Sequence, residues 1–195
     1  MIPKVIHYYW FSGEPYPEKI KKCLDSWREH LPDYEIRLWD ASSFDININA
    51  WTKEAYAQKQ YAFVADYFHF WALYYYGGIY LDADVEVVGT FEALLSKHSF
   101  FGFEYGQTPE AAVIGAEKGT RWLYDCMQFY ADKHFLMPEG KTCTTVLPRH
   151  MLNIFRSKYK IDLFDDGRIQ EFKDLQLTVY PYYVFSPKKY LSLYG

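Results

Sequence analysis

The chain has 195 residues, enough for one domain that buries a sizeable core without disulfides. Its formal net charge is −4 with no basic stripe, which argues against a partner that is tracked along its phosphates, so no nucleic acid is expected. Cys23, Cys126 and Cys143 stand far apart with no CxxC pair, which argues against a disulfide framework or a zinc knuckle and for reduced thiols.

In chain order, Lys4 to Trp10 is a β-branched and aromatic run stopped by Ser12-Gly13, Pro15 and Pro17, so it reads as a buried strand and a loop. Pro17 opens a helix whose apolar residues Ile20, Cys23, Leu24 and Trp27 form one face. Tyr34 to Trp39 alternates as a half-exposed strand, and Asp40 to Asn49 is polar loop. Ala50 to Tyr76 reads as helix in two pieces, ended by Gly77-Gly78. Ile79 to Leu81 is a second buried strand, with Val85 to Val88 continuing extended beyond a polar step. Strands are predicted at Ser99 to Phe103, Ala111 to Ile114 and Leu177 to Tyr180. Helices are predicted at Thr120 to Ala131 and at Thr142 to Phe155, the latter breakable at Pro148. Strands alternating with helices predict an α/β sheet with helices packed on its faces. Ligands of such sheets sit beyond the carboxyl ends of the strands, which puts Trp10 to Gly13 and Asp82 to Asp84 on one rim.

Tyr80-Leu81-Asp82-Ala83-Asp84 carries the most chemistry. In extended backbone, Tyr80, Asp82 and Asp84 share one side, and Ile79, Leu81 and Ala83 the other. Two carboxylates converging at a strand end repel unless a cation or proton lies between them. Hard oxygen ligands suit Mn²⁺ or Mg²⁺, which keep positions open for substrate phosphates. The plainer alternative is a strand that ends in a solvated turn, since Asp-x-Asp alone is a common pair. Upstream, Asp66 and His69 share a helical face: either they bond each other, or Asp66 accepts from sugar hydroxyls with His69 nearby. Trp10 is either a core residue or a platform for a planar base. The other histidines show no ligand spacing, and no HExxH, P-loop or GxSxG pattern occurs.

These residues resemble the bacterial glycosyltransferases with a DXD sugar-binding region, a group of capsular-polysaccharide and mannosyltransferase-like enzymes distantly similar to the clostridial glucosylating toxins. The resemblance rests on residues 2–13 (Ile-Pro-Lys-Val-Ile-His-Tyr-Tyr-Trp-Phe-Ser-Gly), on Ala62 to Tyr67 and on Leu73 to Val87, with looser blocks at Ile114 to Gly119 and Val179 to Pro181. It is dense from residue 2 to about 120. It implies an α/β, GT-A-like nucleotide-sugar-binding fold with a single mixed sheet flanked by helices, a UDP-sugar donor, Mn²⁺ or Mg²⁺, retention of configuration, and a glycan or lipid-linked saccharide acceptor. By the same resemblance Trp10 stacks on the base, and Asp66 binds ribose or donor-sugar hydroxyls. Tyr80 contacts the phosphate or sugar side, Asp82 touches the metal shell and sugar, and Asp84 ligates the metal.

Three departures matter. His69 stands where the family usually has arginine, and a histidine is often neutral at pH 7. Ala65 replaces a common serine. The sequence ends at Leu193-Tyr194-Gly195 without the His-rich segment and Ser-Trp pair common in the family, so residues 1–195 are expected to be a single glycosyltransferase domain in which either a C-terminal segment is lacking or another group or water fills that position. A nucleotide-sugar or carbohydrate-binding module with weak or lost catalysis is the alternative; a metal-dependent phosphohydrolase would need more ligands than this rim offers. No apolar run reaches the roughly 18 residues that span a bilayer, and no signal h-region leads the chain. A cytoplasmic protein is expected, at most peripheral to the inner face of a membrane. Peripheral contact would use Tyr182, Tyr183, Phe185, Lys188 and Lys189, although packing is the plainer use of that segment.

Overall fold

The computed structural model describes residues 1–105, 107–143 and 145–187. Lys188 and Lys189 lie outside the described residues. The elements run β1 (Val5–Tyr9), α1 (Glu18–His30), β2 (Glu35–Trp39), α2 (Ala50–Ala57), α3 (Tyr61–Tyr76) and β3 (Gly78–Leu81). They continue as β4 (Ser99–Phe103), β5 (Pro109–Ala116), α4 (Arg121–Gln128), α5 (Leu147–Ile154), β6 (Gln170–Phe172), β7 (Leu177–Tyr180) and the short α6 (Tyr182–Phe185). The seven strands form one sheet in the order β2-β1-β3-β5-β4-β7-β6. Parallel pairs β1–β2, β1–β3 and β4–β7 mix with antiparallel pairs β3–β5, β4–β5 and β6–β7. The expected mixed α/β sheet is therefore present.

Strand alternation sorts the core onto the two faces of the sheet. Ile6 and Tyr8 of β1 join Ile79 and Leu81 of β3 against Leu24 and Trp27 of α1. Tyr80 faces the opposite side, among Phe68, Phe70 and Leu73 of α3. Helix α3 is apolar nearly all round because it is covered on nearly all sides, as such helices must be. The abundance of Phe, Tyr and Trp is largely explained here: large rings fill both layers in edge and tilted contacts.

The Gly77-Gly78 stop has a steric cause. Gly78 has φ +112°, and a Cβ there would stand 2.6 Å from the Val5 carbonyl oxygen and 3.1 Å from His7 Nε2. The glycines let α3 turn directly into β3 beside β1. His7 fastens the same junction: fully buried, it donates from Nε2 to the Gly77 carbonyl (2.8 Å) and accepts at Nδ1 from Trp39 Nε1 (3.1 Å). Burial lowers its pKa to about 4, so it remains the neutral tautomer that makes both bonds. Gly78→Ala is expected to cost at least about 2 kcal/mol, combining a disfavoured φ with a backbone clash. Urea denaturation reads this directly, and a midpoint equal to wild type would contradict it.

Several local expectations are corrected. Val85 to Val88 joins no strand ladder: a turn at Ala83 and Asp84 precedes it, closed by the Val85 N–H on the Asp82 carbonyl (3.0 Å). The next polar groups go to α1, with Trp27 Nε1 donating to the Val85 carbonyl (2.7 Å) and Val87 N–H to Ser26 Oγ (2.9 Å). With those backbone groups taken by side chains, no ladder can extend. The helix placed at Thr142 to Phe155 begins only at Leu147, with Pro148 in its first turn, where a missing N–H costs nothing. β6 and α6 were not foreseen. Phe185 of α6 stacks on Phe100 (5.8 Å between centroids) over Gly102, so this part of the proposed membrane segment is packed; Tyr183 is exposed. Among the described residues no helix is long and apolar enough to cross a membrane.

Candidate active site

The register Ile6↔Ile79 and His7↔Tyr80 makes β1 and β3 adjacent and parallel, so their carboxyl ends open on the same edge. A cleft of about 230 Å³ lies there, lined by Tyr9, Trp10, Ile20, Asp82, Ala83 and Asp84. The shared rim expected for Trp10 and the acidic pair is thus formed. Trp10 is half-buried, not a core residue. Its Nε1 donates to the Glu14 carbonyl (2.6 Å) and its ring meets Tyr16 edge-on at 4.9 Å, which orients the indole within the cleft wall.

Asp82 and Asp84 lie on the turn that follows β3, so the simple side-sharing of extended backbone stops at Tyr80. The turn still brings both acids to the cleft. Asp82 is held: Tyr80, itself fully buried, donates its hydroxyl to Asp82 Oδ1 at 2.7 Å, and His69 Nε2 stands at a long 3.5 Å from the same oxygen. The His69 ring abuts Tyr80 edge-on at 3.7 Å, and its Nδ1 is buried without a described partner. Tyr80 therefore reaches the cleft only through Asp82. Asp84 is more exposed, and the Lys19 ammonium sits 3.1 Å from its Oδ2.

Of the two readings of Asp66 and His69, the bond between them does not form, because α3 turns His69 toward Asp82 and Tyr80. Asp66 is buried, and among the described residues no hydrogen bond or ion pair holds its carboxylate. Burial first, and then the nearby negative charge of Asp82, raises its pKa well above the usual carboxylate range. Tyr9 was missed from sequence although it lines the cleft and feels Asp82, Asp66 and Asp84 together. Its phenol is pushed upward by burial first and those three charges next. Lys19 and Ile20 were missed as well. Alternation along β1 hinted at Tyr9, whereas nothing local connects α1 to Asp84.

The residues fit a divalent cation at the level of chemistry. Two carboxylates meet at a cleft, and a lysine ammonium already stands on one of them as a positive counter-charge. Among the described residues no group of three or more His, Cys, Asp or Glu side chains is placed to hold a metal. Two protein carboxylates suit a cation that completes its shell with phosphate oxygens and water.

Residues 17–101 match the family described as glycosyltransferase sugar-binding region containing DXD motif. That match covers less than half of the chain. Inositol phosphoceramide mannosyltransferase 3 of Schizosaccharomyces pombe is 39% identical over 130 residues, covering 63% of this chain and 35% of the yeast protein. Inositol phosphoceramide mannosyltransferase 1 of the same yeast is 30% identical over 106 residues, covering 51% and 33%. The chain thus spans about a third of the length of these relatives. Among solved structures, PaToxG glycosyltransferase superposes with a TM-score of 0.59 at 18% identity, over 82% of this chain and 70% of that one. That likeness concerns the fold, and together with the seven-stranded mixed sheet it makes the fold GT-A-like.

Proposed function

We propose that the protein is a retaining glycosyltransferase that takes a sugar from a UDP-sugar and passes it to a glycan or lipid-linked acceptor. The observation that carries this reading is the convergence of Trp10, Asp82 and Asp84 on one cleft at the carboxyl ends of β1 and β3. A divalent cation held there, Mn²⁺ or Mg²⁺, would neutralise the charge that builds on a departing diphosphate. Asp84, the more exposed acid, is assigned as its direct ligand. Asp82, fixed by Tyr80 and approached by His69, is assigned to the metal shell and the donor sugar. Trp10 offers a base-stacking face, and buried Asp66 accepts from hydroxyls of ribose or sugar. No protein general base is assigned, since a retaining reaction can take the acceptor proton onto the leaving phosphate on the same face.

The lipid-linked acceptor is supported by the yeast relatives, whose names specify mannosyl transfer to inositol phosphoceramide. The deciding experiment is calorimetry with UDP or GDP in the presence of Mn²⁺, run beside a hydrolysis screen of UDP- and GDP-linked hexoses. UDP binding and consumption of a UDP-sugar are expected. A clear preference for GDP would overturn the uracil assignment, and binding without consumption of any donor would favour a binding module over an enzyme. Trp10→Ala is expected to weaken UDP binding about 5- to 150-fold, the range for loss of one base–aromatic stack, with Mn²⁺ binding unchanged. Equal UDP affinity in that variant would remove the stacking role.

A further inference from the structure

Lys19 occupies a position that nothing in the sequence pattern assigns. It belongs to the first turn of α1, next to Ile20, which lines the cleft. Its ammonium lies 3.1 Å from Asp84 Oδ2, although 65 residues separate the two in sequence. Both side chains are more than half exposed, so the pair contributes little to stability and the lysine stem is free to swing. The ammonium carries three donors and no acceptor, so once parted from Asp84 it needs an anion. Among the described residues the acids lining the cleft are Asp82 and Asp84, both already assigned to the cation.

We infer that Lys19 is a charge-coupling residue: it competes with a bare divalent cation for Asp84, and pairs with the diphosphate once the cation has taken its place. This rests on the donor-site reading above and adds a residue from α1 to it. Asp84 cannot hold both positive charges closely, so metal binding expels the ammonium. The diphosphate brings negative charge to the same rim, and the expelled ammonium on the adjoining turn of α1 pairs with it. Lys19 thereby disfavours metal without nucleotide and favours the two together, which links cation uptake to donor uptake.

The test is calorimetry on the whole chain as wild type, Lys19→Ala and Lys19→Arg, titrated with Mn²⁺ alone, with UDP in saturating Mn²⁺, and with uridine. Lys19→Ala is expected to bind Mn²⁺ alone about 2- to 5-fold more tightly, the scale of one exposed ion pair. It is expected to bind UDP with Mn²⁺ about 10-fold or more weakly, the scale of a lost hydrogen bond to a charged group. Uridine affinity stays level, and Lys19→Arg keeps both wild-type affinities within about 3-fold, since arginine retains the charge. The opposite signs are the signature, because a merely structural lysine would shift every titration in the same direction or none. Wild-type binding of Mn²⁺ and UDP with an unchanged or uniformly weakened alanine variant would overturn the inference alone. A wild type that binds neither would overturn the donor-site reading and this inference with it.

Discussion

Asp84→Ala is expected to abolish metal-stimulated donor hydrolysis, lowering it about 10²- to 10³-fold, the scale seen when one preorganised electrostatic contact to developing charge is removed. Folding should be nearly untouched. The side chain is 55% exposed on a turn, and its described ion pair reaches only exposed Lys19, so a change in unfolding free energy within about 0.5 kcal/mol is expected. Asp82 gives a less clean experiment. Removing its carboxylate would strand the Tyr80 hydroxyl in the core, at about 1–3 kcal/mol for an unmet buried donor, and would mix instability with lost chemistry. Steady-state hydrolysis of a UDP-sugar with and without Mn²⁺, beside thermal unfolding, separates the two. Undiminished Mn²⁺-stimulated turnover in Asp84→Ala would end the assignment of this acid to the cation.

Much of this site is legible in the sequence because it is built from local signals. The apolar run of β1, the two glycines after α3 and the short apolar β3 have periods and stops that fix strand ends within a residue or two. Two parallel neighbours must then open at one edge, and Trp10 and Asp82 to Asp84 follow. What could not be read is decided by distant groups. Whether backbone continues extended after Leu81 depends on Ser26 and Trp27 of α1, which take the hydrogen bonds a next strand would need. The spacing of Asp66 and His69 suggested a pair, yet spacing on one helix does not reveal that Tyr80 and Asp82 draw the imidazole across to β3. Pro148 shows the same limit in miniature: a proline breaks a helix or starts one according to where the first turn falls. Lys19 on Asp84 is a meeting of remote elements with no local trace.

Asp66→Asn is expected to stabilise the free protein while crippling donor binding. The wild-type carboxyl is buried in α3 with no described donor, and burial together with the charge of Asp82 raises its folded-state pKa. The protonated form is the one the fold prefers. Its stabilising contribution is complete below the unfolded-state pKa and is lost as pH rises through the raised folded-state value, so unfolding free energy falls across that window. Asparagine has no proton to lose, so the variant should show a flatter profile and exceed wild type at the alkaline end, where the wild type must bury a charge. Donor affinity should move the other way, down about 10- to 100-fold, because an amide offers one acceptor oxygen and no charge to sugar hydroxyls. Urea denaturation from pH 5 to 8, paired with UDP-sugar calorimetry in Mn²⁺, measures both. An unchanged pH slope would show that Asp66 does not carry the strain, and wild-type donor affinity would leave it a core residue without a role in binding. A cation beside Asp82 would cancel part of the charge that Asp66 feels, so Mn²⁺ with UDP should narrow the stability gap between the two proteins. A gap that survives saturation would mean Asp66 and the acidic turn act on separate ligands.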